Sequence, residues 1–73
     1  MDNFEMIQVI STTFSSIGYQ EGIQTLRVQF HNGILYEYLN FPLIEFEQFL
    51  DSPSKGEYFN SNVKNKYPFS KIG

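Results

Sequence analysis

A small α+β domain is the fold this sequence predicts: an antiparallel meander of three to four strands covered by one amphipathic helix and a second short C-terminal helix. Three observations carry that expectation. Period-two alternation runs through "TLRVQF" and "ILYEYL" on either side of a glycine-containing turn. Beyond a proline, apolar residues recur at helical spacing, at Leu43, Phe46, Phe49 and Leu50. Near the C-terminus the tetrapeptide "SKGE" has the spacing of a helix capping box.

Taken in order, Met6 to Ile10 reads as extended and Phe14 to Tyr19 as the first well-defined strand, with Ile17 and Tyr19 on one face. The stretch "QEGIQ" supplies a turn. Ile23 to Phe30 then puts Leu26, Val28 and Phe30 on one face and Thr25, Arg27 and Gln29 on the other.

The next turn decides the register. A two-residue Asn32-Gly33 turn would set Val28 opposite Glu37, placing a carboxylate among apolar neighbours at a serious desolvation cost. A three-residue loop, His31-Asn32-Gly33 with Gly33 left-handed, sets Phe30 opposite Ile34, Val28 opposite Tyr36 and Leu26 opposite Tyr38. Arg27 then faces Glu37 on the outer side, a cross-strand ion pair worth about 0.2–1 kcal/mol. The same register turns both tyrosine rings toward the core.

"NFP" starts the main helix, with Asn40 or its neighbour as the cap and Pro42 in a first turn where no N–H is needed. Asp51-Ser52-Pro53 ends it. In the capping box of the second helix Ser54 bonds forward and Glu57 reaches back, and Phe59 and Val63 share its buried side. Beyond it, "KYPF" leaves in an extended conformation. The expected core is thus Ile17, Tyr19, Leu26, Val28, Phe30, Tyr36, Tyr38, Leu43, Phe46, Leu50 and Phe59.

Length allows one domain, spanning 1–73, with one small core. With no cysteine, neither a disulfide nor a thiolate site can form, which suits a reducing compartment. No apolar run approaches the ~20 residues of a membrane helix, and "MDNFEMIQVIS" lacks the character of a signal peptide. These features place the chain in the cytoplasm, away from membranes.

Net charge is −3, which opposes strong non-specific nucleic-acid binding. The cations are nevertheless gathered late: Lys55, Lys64, Lys66 and Lys71 follow a long stretch whose one basic residue is Arg27. Chemistry for catalysis is missing. His31 is the single histidine and sits in the expected hairpin loop as a solvated turn residue, and one histidine without cysteine makes no usual zinc set. Glu45 and Glu47 diverge on their helix, and the glycines follow neither a dinucleotide nor a P-loop spacing. No enzyme activity, cofactor or metal is expected.

What remains is "SKGEYFNSNVKNKYPF", where Lys55, Lys64 and Lys66 alternate with Tyr58, Tyr67 and the amides of Asn60, Asn62 and Asn65. Cations interleaved with rings and amides suit single-stranded RNA, so Lys55, Tyr58, Asn60, Lys64, Lys66 and Tyr67 are the candidate nucleic-acid-binding residues. An equally good account makes Tyr58 and Phe59 helix anchors and leaves the lysines solvated. The other class of function is a protein-interaction or inhibitor module, using surplus aromatics and the acidic helix face to hold a protein partner or a second copy.

At this point the sequence resembles the KTSC domain family, short modules found at the C-terminus of some lysyl-tRNA synthetases and as stand-alone bacterial and phage proteins. The resemblance covers about residues 9 to 69. It rests on "STTFSSIGY", on "TLRVQFHNGILYEY" with Tyr36 and Tyr38 as the Tyr-x-Tyr pair, on Pro42, and on "SKGEYFN" followed by Val63 and Tyr67. It implies a small antiparallel sheet with covering helices, a suggested RNA-binding role and no catalytic activity. This chain departs from the family pattern at Glu37, Ser61 and Asn62, where basic residues are common, and so carries less positive charge there.

Overall fold

In a computed structural model, which describes residues 4–73, the chain forms one five-stranded antiparallel sheet in meander order. Residues 1–3 of the expected 1–73 domain lie outside the described residues. The strands are β1 (Ile7–Gln8), β2 (Phe14–Gln20), β3 (Thr25–Phe30), β4 (Leu35–Tyr38) and β5 (Phe69–Lys71). Between β4 and β5 run α1 (Leu43–Asp51) and α2 (Lys55–Tyr58), the latter continuing into a π-helical turn over Phe59–Val63.

The α+β class stands, and the strand count rises from the expected three or four to five. Of the extended N-terminal stretch only Ile7 and Gln8 pair, opposite Ile17 and Ser16. The C-terminal tail does not leave the domain. It returns antiparallel to β4, with Tyr36 opposite Lys71 and Tyr38 opposite Phe69, and the Phe69 ring stacks on that of Tyr36 at 5.7 Å. Three residues are too few to show a strand period, so this pairing is set by what the tail meets and not by its own pattern.

The central hairpin has the register that desolvation demanded. Leu26 faces Tyr38, Arg27 faces Glu37 and Val28 faces Tyr36. Gly33 has φ +87°, and Phe30 N–H donates to the Ile34 carbonyl across the three-residue loop. Arg27 Nη2 lies 2.6 Å from Glu37 Oε2, and its guanidinium also covers the Phe4 ring at 4.1 Å. On this outer face a Cβ at Gly18 would sit 2.7 Å from Met6 Sδ and 3.0 Å from the Glu5 carbonyl, so glycine is what lets the N-terminal segment cross β2.

Strand β2 contains an irregularity that period-two reading misses. Phe14 pairs with Phe30 and Ser16 with Gln29, so Ser15 is an extra residue, a β-bulge. Its hydroxyl donates to the Gln29 carbonyl, and that of Ser16 to Gln29 Oε1. The bulge brings Phe14 onto the side of Ile17, three residues away, and both are fully buried.

Between the sheet and the helices lies the core: Phe14, Ile17, Leu26, Val28, Tyr38, Phe41, Phe46, Phe49, Phe59 and Val63. Tyr19, Phe30, Tyr36 and Leu50 pack partly buried against it. Leu43, which helical spacing assigned to the core, is instead 36% exposed. Phe41 takes the buried position at that end of the helix, its N–H donating to the Gln24 carbonyl and its own carbonyl accepting from the Tyr19 hydroxyl. Pro42 occupies the N-cap position with no side-chain cap, and Asn40 adopts φ +58° instead of capping. In α2 the Ser54 hydroxyl accepts from Glu57 N–H as expected. The return half of the box is absent: Ser54 N–H donates to the Ser52 hydroxyl.

Candidate functional site

The helical layer stands off from the β4–β5 end of the sheet and leaves a groove of about 410 Å³. From the sheet side it is floored by Phe30, Tyr36, Tyr38 and Phe69. These rings form one array: Tyr36 stacks on Tyr38 at 6.4 Å and on Phe69 at 5.7 Å, and Phe69 also meets Tyr38 at 5.7 Å. Phe59 closes it from the π-helical turn, edge-on to Tyr38 at 5.4 Å. Asn60, Lys64 and Asn65 on one side and Asn32 on the other supply the polar rim.

Local geometry explains the rim. Lys64 N–H reaches back five residues to the Phe59 carbonyl, 2.8 Å, which widens the helix by one residue and buries Phe59 and Val63 together. The chain then turns through Asn65 at φ +67°, a conformation asparagine tolerates better than most side chains. Lys64 and Asn65 therefore sit at the mouth of the groove, both exposed.

The tyrosines divide into two groups by what their hydroxyls do. Tyr19 donates to the Phe41 carbonyl, and Tyr58 and Tyr67 both donate to the Glu45 carboxylate, Tyr67 at 3.2 Å. Among the described residues, the hydroxyls of Tyr36 and Tyr38 have no hydrogen-bond partner, yet neither is a sealed, unsatisfied group. Both residues line the groove. Burial pushes the Tyr38 hydroxyl up to about 12, with the neighbouring Tyr36 adding to the shift. It thus stays a neutral donor throughout the physiological range.

The six residues singled out in the sequence do not form one surface. Asn60 and Lys64 line the groove. Lys55 lies farther along the same side, one of its three ammonium donors bound to the Ser52 carbonyl at 3.2 Å. Lys66 is exposed and stands outside the groove. Tyr58 and Tyr67 are held in place, Tyr58 stacked on Phe49 at 5.4 Å and Tyr67 against Phe41 at 4.7 Å. For Tyr58 the anchoring account fits the packing, and Tyr67, for which no anchoring was expected, is held in the same way. His31, exposed as expected, donates from Nε2 to the Ser11 carbonyl at 2.7 Å.

Thr13, Asn32, Ile34 and Phe69 are the lining residues that sequence reasoning placed in neither the site nor the core. Phe69 was legible only as an aromatic after a proline, and its place beside Tyr36 depends on the return of the tail. Among the described residues no group of three or more His, Cys, Asp or Glu could hold a metal ion. Among the described residues no helix is long and apolar enough to cross a membrane.

Fold and groove together define a small α+β domain with an aromatic-floored cleft. The KTSC domain model matches residues 10–67, and the chain belongs to the KTSC domain family. It is 32% identical to a KTSC domain protein from Yersinia pestis whose crystal structure superposes with a TM-score of 0.94, covering 97% of this chain and 100% of that one. Two lysine–tRNA ligases, from Nostoc punctiforme and Trichormus variabilis, are each 30% identical over 69 residues. Those matches cover 94% of this chain and 12% of either ligase, so the chain spans about an eighth of the length of these relatives.

Proposed function

We propose that this chain is a non-enzymatic binding module that takes an unpaired base of single-stranded RNA into the aromatic groove. The observation that carries this reading is a ring-floored cleft lined by Tyr36 and Tyr38, whose hydroxyls have no partner among the described residues, beside Asn60 and Lys64. A base needs a π-face to stack on and donors or acceptors for its edge. The rings supply the first, the hydroxyls and the carboxamides of Asn32, Asn60 and Asn65 supply the second, and Lys64 supplies a cation for the flanking phosphate. The occurrence of related segments within lysine–tRNA ligases fits an RNA ligand.

Few cations take part, so binding is weak and salt-sensitive. Fluorescence anisotropy with a labelled single-stranded RNA of mixed sequence at low salt should give a dissociation constant near ~10 μM. One lysine–phosphate contact, at Lys64, predicts a slope of about −0.7 for log affinity against log salt. Lys64→Gln should weaken binding several-fold with an unchanged melting temperature. No binding at low salt would overturn the RNA reading and leave a protein partner as the alternative.

A further inference from the structure

A second groove, about 540 Å³, lies beyond the first and is built differently. Where the first is floored by rings, the second has no aromatic side chain among the described residues and is lined by the hydroxyl-bearing Ser11, Thr12, Thr13 and Ser54 together with Ile10 and Pro53, with Lys55 at its side. The two share Thr13 and Asn60 as common walls. At their junction the backbone of Gly56 approaches so closely that a Cβ there would lie 2.9 Å from Thr13 Oγ1, which fixes the position of α2 against the β1–β2 connection. Lys55 retains two ammonium donors after its bond to Ser52. Glu57 is the one carboxylate lining either groove.

Resting on the RNA reading, we infer that the two grooves form one track for a dinucleotide step, with the base in the ring-floored groove and the adjoining ribose-phosphate in the hydroxyl-lined one. The division of chemistry sets the polarity of the track. Stacking is available only in the first groove, whereas the second offers hydroxyl partners for ribose and phosphate oxygens and the Lys55 ammonium for one negative charge. Glu57 repels any phosphate entering the same groove and offsets part of the Lys55 attraction, so the second groove holds a single phosphodiester weakly.

The test is competition for the full-length chain. A labelled single-stranded RNA is displaced by an unlabelled nucleoside, which carries no phosphate, or by a dinucleotide or tetranucleotide of the same base, using the wild type and Lys55→Gln. The expected result is a dinucleotide about tenfold stronger as a competitor than the nucleoside, little further gain from the tetranucleotide, and a dinucleotide advantage that shrinks several-fold in Lys55→Gln, with thermal melting to check that the variant folds. If the dinucleotide advantage is the same in Lys55→Gln as in the wild type, the track is refuted while the single-groove reading stands. If the wild type fails to bind the labelled RNA at all, the RNA reading falls and the track with it.

Discussion

Tyr36 shows how one side chain can serve both the core and the groove. Its ring stacks on Tyr38 and Phe69 and meets Phe30 edge-on, yet the residue remains only partly buried and lines the groove. Truncation of a fully buried aromatic costs about 3–5 kcal/mol. A ring covered only in part should cost less, and Tyr36→Ala is expected to destabilise by about 2 kcal/mol in urea unfolding. Tyr36→Phe keeps the ring and removes only the hydroxyl, so it should leave the urea midpoint unchanged and weaken RNA binding. An equal loss of affinity and stability in Tyr36→Phe would mean that the hydroxyl has a structural partner. That Tyr36 faces inward is legible from the Arg27–Glu37 register, because period two and a buried face leave one choice. That the inward face is incompletely covered is not, because it depends on where the helices stop.

At the scale of elements, local chemistry and tertiary packing share the work unevenly. The hairpin is a local decision, with the loop, the left-handed Gly33 and two alternating strands all within a short span of chain. The second helical segment is partly so. Ser54 caps it through Glu57 N–H, and Ser54→Ala should cost about 1 kcal/mol, read from the urea midpoint. Because the segment runs into the π-helical turn carrying Asn60 and Lys64, the same change should loosen one wall of the groove. Strand β5 and the bulge in β2 are the opposite case. Ser15 is an ordinary strand residue by composition, and it becomes the extra one because Phe14 must reach the core beside Phe49 and Phe59. In α1, spacing alone cannot tell Leu43 from Phe46. The difference comes from Phe41, fully buried on the connection from β4, whose position follows from long-range hydrogen bonds to Tyr19 and Gln24.

For the whole molecule, alkaline pH tests how far stability rests on neutral tyrosines. Burial raises Tyr38 from 10.0 to about 12 and also raises Tyr19 and Tyr67, the last with help from Glu45. A group whose folded pKa exceeds its unfolded value contributes fully below the unfolded pKa and loses that contribution as pH rises through the folded one. Between about pH 10 and 12 the unfolded chain therefore binds fewer protons than the folded one, and unfolding becomes easier with each step in pH. The urea midpoint should be level from pH 7 to 9 and fall from pH 10 upward, with a smaller fall in Tyr38→Phe. A midpoint unchanged to pH 12 would contradict the burial of these hydroxyls.

The sequence by itself determined the α+β class, the hairpin with its register and ion pair, the place of the main helix and the capped start of the second, because each follows from residues close together in the chain. It also gathered the cations and amides of the groove rim, since Asn60, Lys64 and Asn65 are neighbours. Only the tertiary structure decided that Tyr58 and Tyr67 are tied to Glu45, that the tail returns as a fifth strand, and that the tyrosine face is left open at one end. Those outcomes depend on which surfaces meet after the chain folds back on itself, and burial is a property of that meeting, which no spacing along the chain encodes.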